Sequence, residues 1–140
     1  MRRIRSEHGV SAVELAIVLV ILFLVLFGII QFGIAFHRDQ GLEAAAREGA
    51  RLASIGAKYN DIKQRVWDSQ SLFTDSDVIV TTNPASSGTD RPCQFAGQGQ
   101  LVTVTATVNP SPSYAIVIPL WGNKQITYSA VGKFRCEKTN

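Results

Sequence analysis

The chain has 140 residues, 46% of them hydrophobic, and a formal charge of +3, which leaves room for one small domain at most. The charge is uneven: residues 1–9 hold three Arg and one Glu, and removing their +2 from the total leaves +1. The basicity is therefore mostly a topology signal, and no nucleic-acid surface is expected from it.

After this short basic segment, residues 15–30 form sixteen consecutive positions without a polar side chain, and only Gln31 interrupts the apolar character before Phe36. With its flanks, such a run is long enough to cross a hydrocarbon core of about 30 Å as a helix. Arg2, Arg3 and Arg5 precede the span, whereas Arg38 and Asp39 offset each other just after it. The positive-inside tendency places residues 1–8 in the cytoplasm and everything after about Phe36 outside. A cleavable secretory signal has an apolar core of roughly 7–15 residues followed by an A-x-A-like site. This run is longer and no such site follows, so the hydrophobic segment is expected to be retained.

The helical pattern continues beyond the span. Gly41, Ala45, Gly49 and Ala53 recur every four residues, which sets small side chains along one face. Glu43, Arg47 and Arg51 run along another face, Glu43 standing N-terminal to Arg47 in the favourable order. Two glycines inside a helix each cost about 1 kcal/mol relative to Ala, so close backbone approach is expected to offset them. That approach comes either from this chain's own globular part or from neighbouring subunits. From Val10 to about Ser54 the pattern allows one helix, on the order of 65–70 Å long at 1.5 Å per residue.

Glu14 stands at the mouth of the apolar run. As an interfacial charge it would be tolerated by the positive end of the helix dipole; deeper in lipid it would cost about 2.5–3.5 kcal/mol. Gly9 lies five residues earlier, directly after the charged segment, and counting from Val10 makes Glu14 the fifth residue. This spacing resembles the prepilin signature, in which a membrane peptidase cuts after a glycine and leaves a hydrophobic helix with glutamate at its fifth position. Over residues 9–54 the resemblance narrows to the TadE-like family, the pilin-like proteins of tight-adherence (Flp-type) pilus systems in bacteria. The matching residues are Gly9, Val13, Glu14, Ala16, Gly28, Gln31, Gly33, Ala46, Arg47, Gly49, Ala50, Arg51 and Ala53. Many members carry a proline within the apolar stretch, and this chain has none. The resemblance covers about a third of the chain.

The resemblance implies cleavage between Gly9 and Val10 by a prepilin peptidase, and a role for Glu14 in assembly. The carboxylate of one subunit would meet the new ammonium of Val10 on another, so that two desolvation costs offset each other in register. The implied partners are that peptidase, other pilin subunits, Tad pilus-assembly proteins and the lipid bilayer. The implied setting is the bacterial inner membrane, with a cytoplasmic N-terminus and a periplasmic or extracellular domain that can enter a pilus.

The exported part has its own signals. "GAKYNDIKQRVWDSQSLF" reads as a short helix capped by Asn60 or Asp61, with Ile62, Val66 and Trp67 apolar. Residues 77–82, 100–108 and 125–136 read as strands. In the second, Val102, Val104, Ala106 and Val108 alternate with Thr103, Thr105 and Thr107. Antiparallel pairing of the last two strands would bring Cys93 near Cys136. In an oxidising compartment, without a CxxC or a neighbouring His, this pair is expected to be a disulfide rather than a zinc site. Residues 83–92 read as a mobile loop. "NPSPSYAIVIPLWGN", with Tyr114, Leu120 and Trp121, is either a hydrophobic tip for a partner or a loop folded back on the core.

The expected architecture is α+β and pilin-like. It comprises a leader at 1–9, a transmembrane helix at 10–36, its exported continuation at 37–55 and a small antiparallel domain at 56–140. Asp75, Asp77 and Asp90 lack EF-hand spacing, and no cofactor or metal is expected. Enzymatic chemistry is not expected either. His8 lies in the leader, His37 at the membrane edge, and the chain has no HExxH, GxSxG or phosphate loop. The alternative to a pilin is an uncleaved single-pass membrane protein with an exported binding domain.

Overall fold

A computed structural model describes residues 7–118 and 122–137. Arg2, Arg3 and Arg5 of the leader, and Leu120 and Trp121 of the hydrophobic excursion, lie outside the described residues. Helix α1 runs over Glu7–Ser54, a single stretch of 48 residues. It is uninterrupted because no proline removes a backbone donor along it. Its end is set by Gly56, whose φ of 83° suits a residue without Cβ. The amide of Gly56 donates to Ala53 O and that of Ala57 to Leu52 O, the paired bonds of a Schellman stop.

Helix α2 (Tyr59–Ser69) is capped two residues before the first of the expected caps, Asn60 and Asp61. Lys58 is the N-cap and makes no side-chain capping bond. The opening amides find backbone partners instead, Tyr59 N–H donating to Asp90 O at 2.8 Å and Asn60 N–H to Gly88 O at 3.0 Å. These orphan donors would otherwise need side-chain oxygens. The same bonds fasten the 83–92 loop, read from its composition as mobile, onto the start of α2.

Three strands form an antiparallel sheet in the order β1–β2–β5. Strand β1 is Val78–Asn83, β2 is Leu101–Val108 and β5 is Ser129–Arg135. A one-turn helix α3 (Pro92–Ala96) precedes β2, and a small separate hairpin, β3 (Ile116–Ile118) with β4 (Gly122–Lys124), precedes β5. The expected pairing of the second and third strands is present, from Leu101 opposite Arg135 to Thr107 opposite Ser129. The last strand starts later than its pattern suggested, because Lys124 belongs to the β3–β4 hairpin while Ile126 and Tyr128 turn into the core.

The alternation in β2 sets the layers. Val102, Val104, Ala106 and Val108 are buried against α1, and the intervening threonines are half-buried on the outer face. On α1, Leu42, Ala45, Ala46, Ala50 and Ala53 are buried to match, while Ile62 and Val66 of α2 close the core from the side. The outer edge of β1 is satisfied by α2, with Tyr59 Oη–H donating to Val80 O at 2.6 Å and Trp67 Nε1–H to Val78 O at 3.1 Å.

Cys93 and Cys136 form the expected disulfide, with Cα atoms 5.6 Å apart. It ties α3 to the end of β5, where Glu137 N–H also donates to Ser54 O. The distal ends of helix and sheet are thereby joined. Cross-linking a separation of 43 residues stabilises by about 4 kcal/mol in the chain-entropy model. Replacing both cysteines by serine is expected to lower the unfolding free energy of the domain by up to that amount, read as a fall in the denaturant midpoint, and reductant is expected to produce a similar shift in the native protein but none in the double variant.

Candidate functional site on the N-terminal helix

The candidate site is the surface of α1, and it divides at about residue 37. Between residues 9 and 36 every position is exposed except Gln31 and Ala35, which are half-buried. The helix's window of highest apolar character has a mean hydropathy of 3.2 and no buried residue. By length and composition it could cross a bilayer. Gly9, Val10, Val13, Glu14 and Ile17 line one open face of it, since positions three and four apart share a helix face. Val10 is 67% exposed. Among the described residues none makes a hydrogen bond or ion pair with Glu14.

The glycines divide at the same point. A Cβ added at Gly9, Gly28 or Gly33 would meet nothing within 4 Å, so nothing in the folded chain requires glycine there. A Cβ on Gly41 would lie 2.9 Å from Leu72 Cδ1, and one on Gly49 would lie 2.5 Å from Val66 Cγ2. The face formed by Gly41, Ala45, Gly49 and Ala53 therefore packs against this chain's own α2, the segment just after it that carries Leu72, and the sheet. Of the two expected uses of that face, the intramolecular one is the arrangement seen. The charged face is exposed, with Arg47 Nη2 2.6 Å from Glu43 Oε2, an exposed i,i+4 pair that contributes only about 0.3–0.5 kcal/mol.

Two features escaped the sequence reading. Gly132 of β5 sits directly on α1, and an added Cβ would collide with the carbonyl of Ala46. A lone glycine inside a strand pattern is the signal for such an approach. Tyr114, read only as part of an apolar excursion, is buried at the end of the domain nearest the apolar half of α1, beside Arg38. Its hydroxyl donates to Asp77 Oδ2 at 2.9 Å and accepts from the Thr74 amide at 2.9 Å. Its ring meets Phe73 edge-on at 4.9 Å. No local pattern marks Thr74, Asp77 and Tyr114 as partners, because the strands between them create the contact. Among the described residues no cluster of His, Cys, Asp or Glu is arranged to hold a metal ion.

The family model described as "TadE-like protein" matches residues 9–51. No curated protein and no solved structure matches the chain. The matched segment opens on Gly9, takes in Glu14 and the whole apolar stretch, and closes on Arg51, leaving the sheet outside it. Over residues 9–51, about a third of the chain, the sequence is similar to that family.

Proposed function

We propose that this protein is a minor pilin or pilus-assembly subunit of a tight-adherence pilus, a structural rather than an enzymatic component. It is inserted with residues 1–8 in the cytoplasm, trimmed after Gly9 by a prepilin peptidase, and held in the membrane by α1 until it joins other subunits. The observation that carries this reading is the coincidence at one end of α1. The family match begins at Gly9, Glu14 falls fifth after it, and Val10 and Glu14 share an open helix face on which the folded chain supplies Glu14 with no partner among the described residues. A carboxylate so placed is satisfied by a second subunit's ammonium when helices pack in register.

Replacement of Gly9 by leucine tests the processing step, because the fold has open space there. The variant is expected to insert normally, to keep its first nine residues on a gel that resolves the two forms, and to be missing from sheared pili. Normal trimming and incorporation of the leucine variant would refute the proposed cleavage.

A further inference from the structure

We propose that the β3–β4 hairpin is a second membrane contact, resting in the interfacial layer of the bilayer beside the point where α1 leaves it. This rests on the reading of α1 as a membrane span. The hairpin is placed by Tyr114, three of whose interactions fix it at the membrane-side end of the domain. The Arg38 guanidinium lies 5.5 Å from the centre of its ring, Asp77 holds its hydroxyl and Phe73 packs against its edge. Arg38 is only two residues beyond Phe36, where the apolar stretch ends.

From Tyr114 the chain enters β3, which itself contacts α1. Among residues 9–36, only Gln31 and Ala35 are partly covered, and every other position is exposed. Gln31, Ala35, Arg38 and Leu42 follow one another at helical spacing along a single stripe. The stripe continues from the domain core towards the bilayer, on the side of α1 that carries Arg38 and Leu42.

The chemistry of the hairpin suits that level. Ile116 and Ile118 are half-buried, while Val117 between them is 48% exposed and points away from them. Opposite lie Gly122, Asn123 and Lys124, all exposed, with Lys124 across from Ile116. An apolar strand beside a polar one carrying a cation is suited to the boundary between acyl chains and lipid phosphates. Exposure of one valine would mean little on its own; beside the end of a membrane span it supplies the apolar side of an interfacial contact.

The test uses the full chain in vesicles of phosphatidylethanolamine and phosphatidylglycerol, with a nitroxide on a single introduced thiol, the native cysteines being held in their disulfide. Labels are placed at Val117→Cys, at Val20→Cys within the span, and at Lys133→Cys on the outer face of the sheet. The label at 117 is expected to resemble that at 20, several-fold more accessible to oxygen than to a water-soluble nickel chelate, with the opposite preference at 133. A label at 117 as water-accessible as that at 133, with 20 in lipid, overturns the hairpin contact alone. Protection from both reagents with label-to-label broadening means a second copy covers the hairpin, which also overturns it. A water-accessible label at 20 overturns the span and the hairpin contact together.

Discussion

Glu14→Ala is expected to leave the protein at its normal level in the membrane and to remove it from assembled pili. Insertion should not suffer, since taking a carboxylate away from the end of a span lowers the insertion cost, by up to about 2.5–3.5 kcal/mol if the group lies deep. Assembly should suffer because the ammonium of Val10 on the adjoining subunit would be buried without its partner, a loss of about 3–5 kcal/mol per contact. At 1.4 kcal/mol per tenfold, that weakens each contact by two orders of magnitude or more. Glu14→Asp keeps the charge with a shorter reach and should fall between the two. The comparison is made by immunoblot of membrane and sheared-pilus fractions. An alanine variant present in pili at the normal ratio would show that Glu14 is only an interfacial charge.

Gly132→Ala is expected to destabilise the α+β domain by about 3 kcal/mol, as overpacking in a filled core does. The added methyl would collide with the carbonyl of Ala46 and lie 2.9 Å from Ala50 Cβ. The carbonyl belongs to the interior of α1, which cannot yield locally without giving up a helix hydrogen bond. Gly28→Ala is the control: its methyl meets nothing within 4 Å, and alanine is favoured over glycine in a helix by about 1 kcal/mol. Denaturant midpoints in detergent should fall for the first variant and hold or rise for the second. Equal midpoints for Gly132→Ala and the unaltered chain would mean that β5 does not rest on α1 as described.

Between the two glycines lies the difference in what the sequence could reveal. The apolar run, the Val/Thr alternation of β2 and the four-residue spacing of Gly41, Ala45, Gly49 and Ala53 are periodic, and each predicts a face directly. The helix and the central strand were legible for that reason, and the disulfide from the pairing of the last two strands and the absence of zinc-site spacing. Which body covers a small face is not periodic information; only the fold brings Leu72 and Val66 to Gly41 and Gly49. The start of α2 was misplaced because its amides are capped by the backbone of residues 88 and 90, and a carbonyl cap leaves no residue-type signature. Tyr114 was underread for a similar reason, as its partners Thr74 and Asp77 lie about forty residues earlier. At the candidate site the relation was reversed. Gly9, Val10 and Glu14 were evident from spacing and resemblance, while the fold adds that they lie on an open face with no packing role.

The central claim, that this chain is a processed pilus subunit, is tested most directly by the intact mass and N-terminal sequence of the protein from its native membrane, with and without prepilin-peptidase activity. The account predicts a chain beginning at Val10 when the peptidase is present and one retaining residues 1–9 when it is absent. Retention of residues 1–9 in both cases would contradict it and leave an uncleaved membrane protein whose function lies in the exported domain.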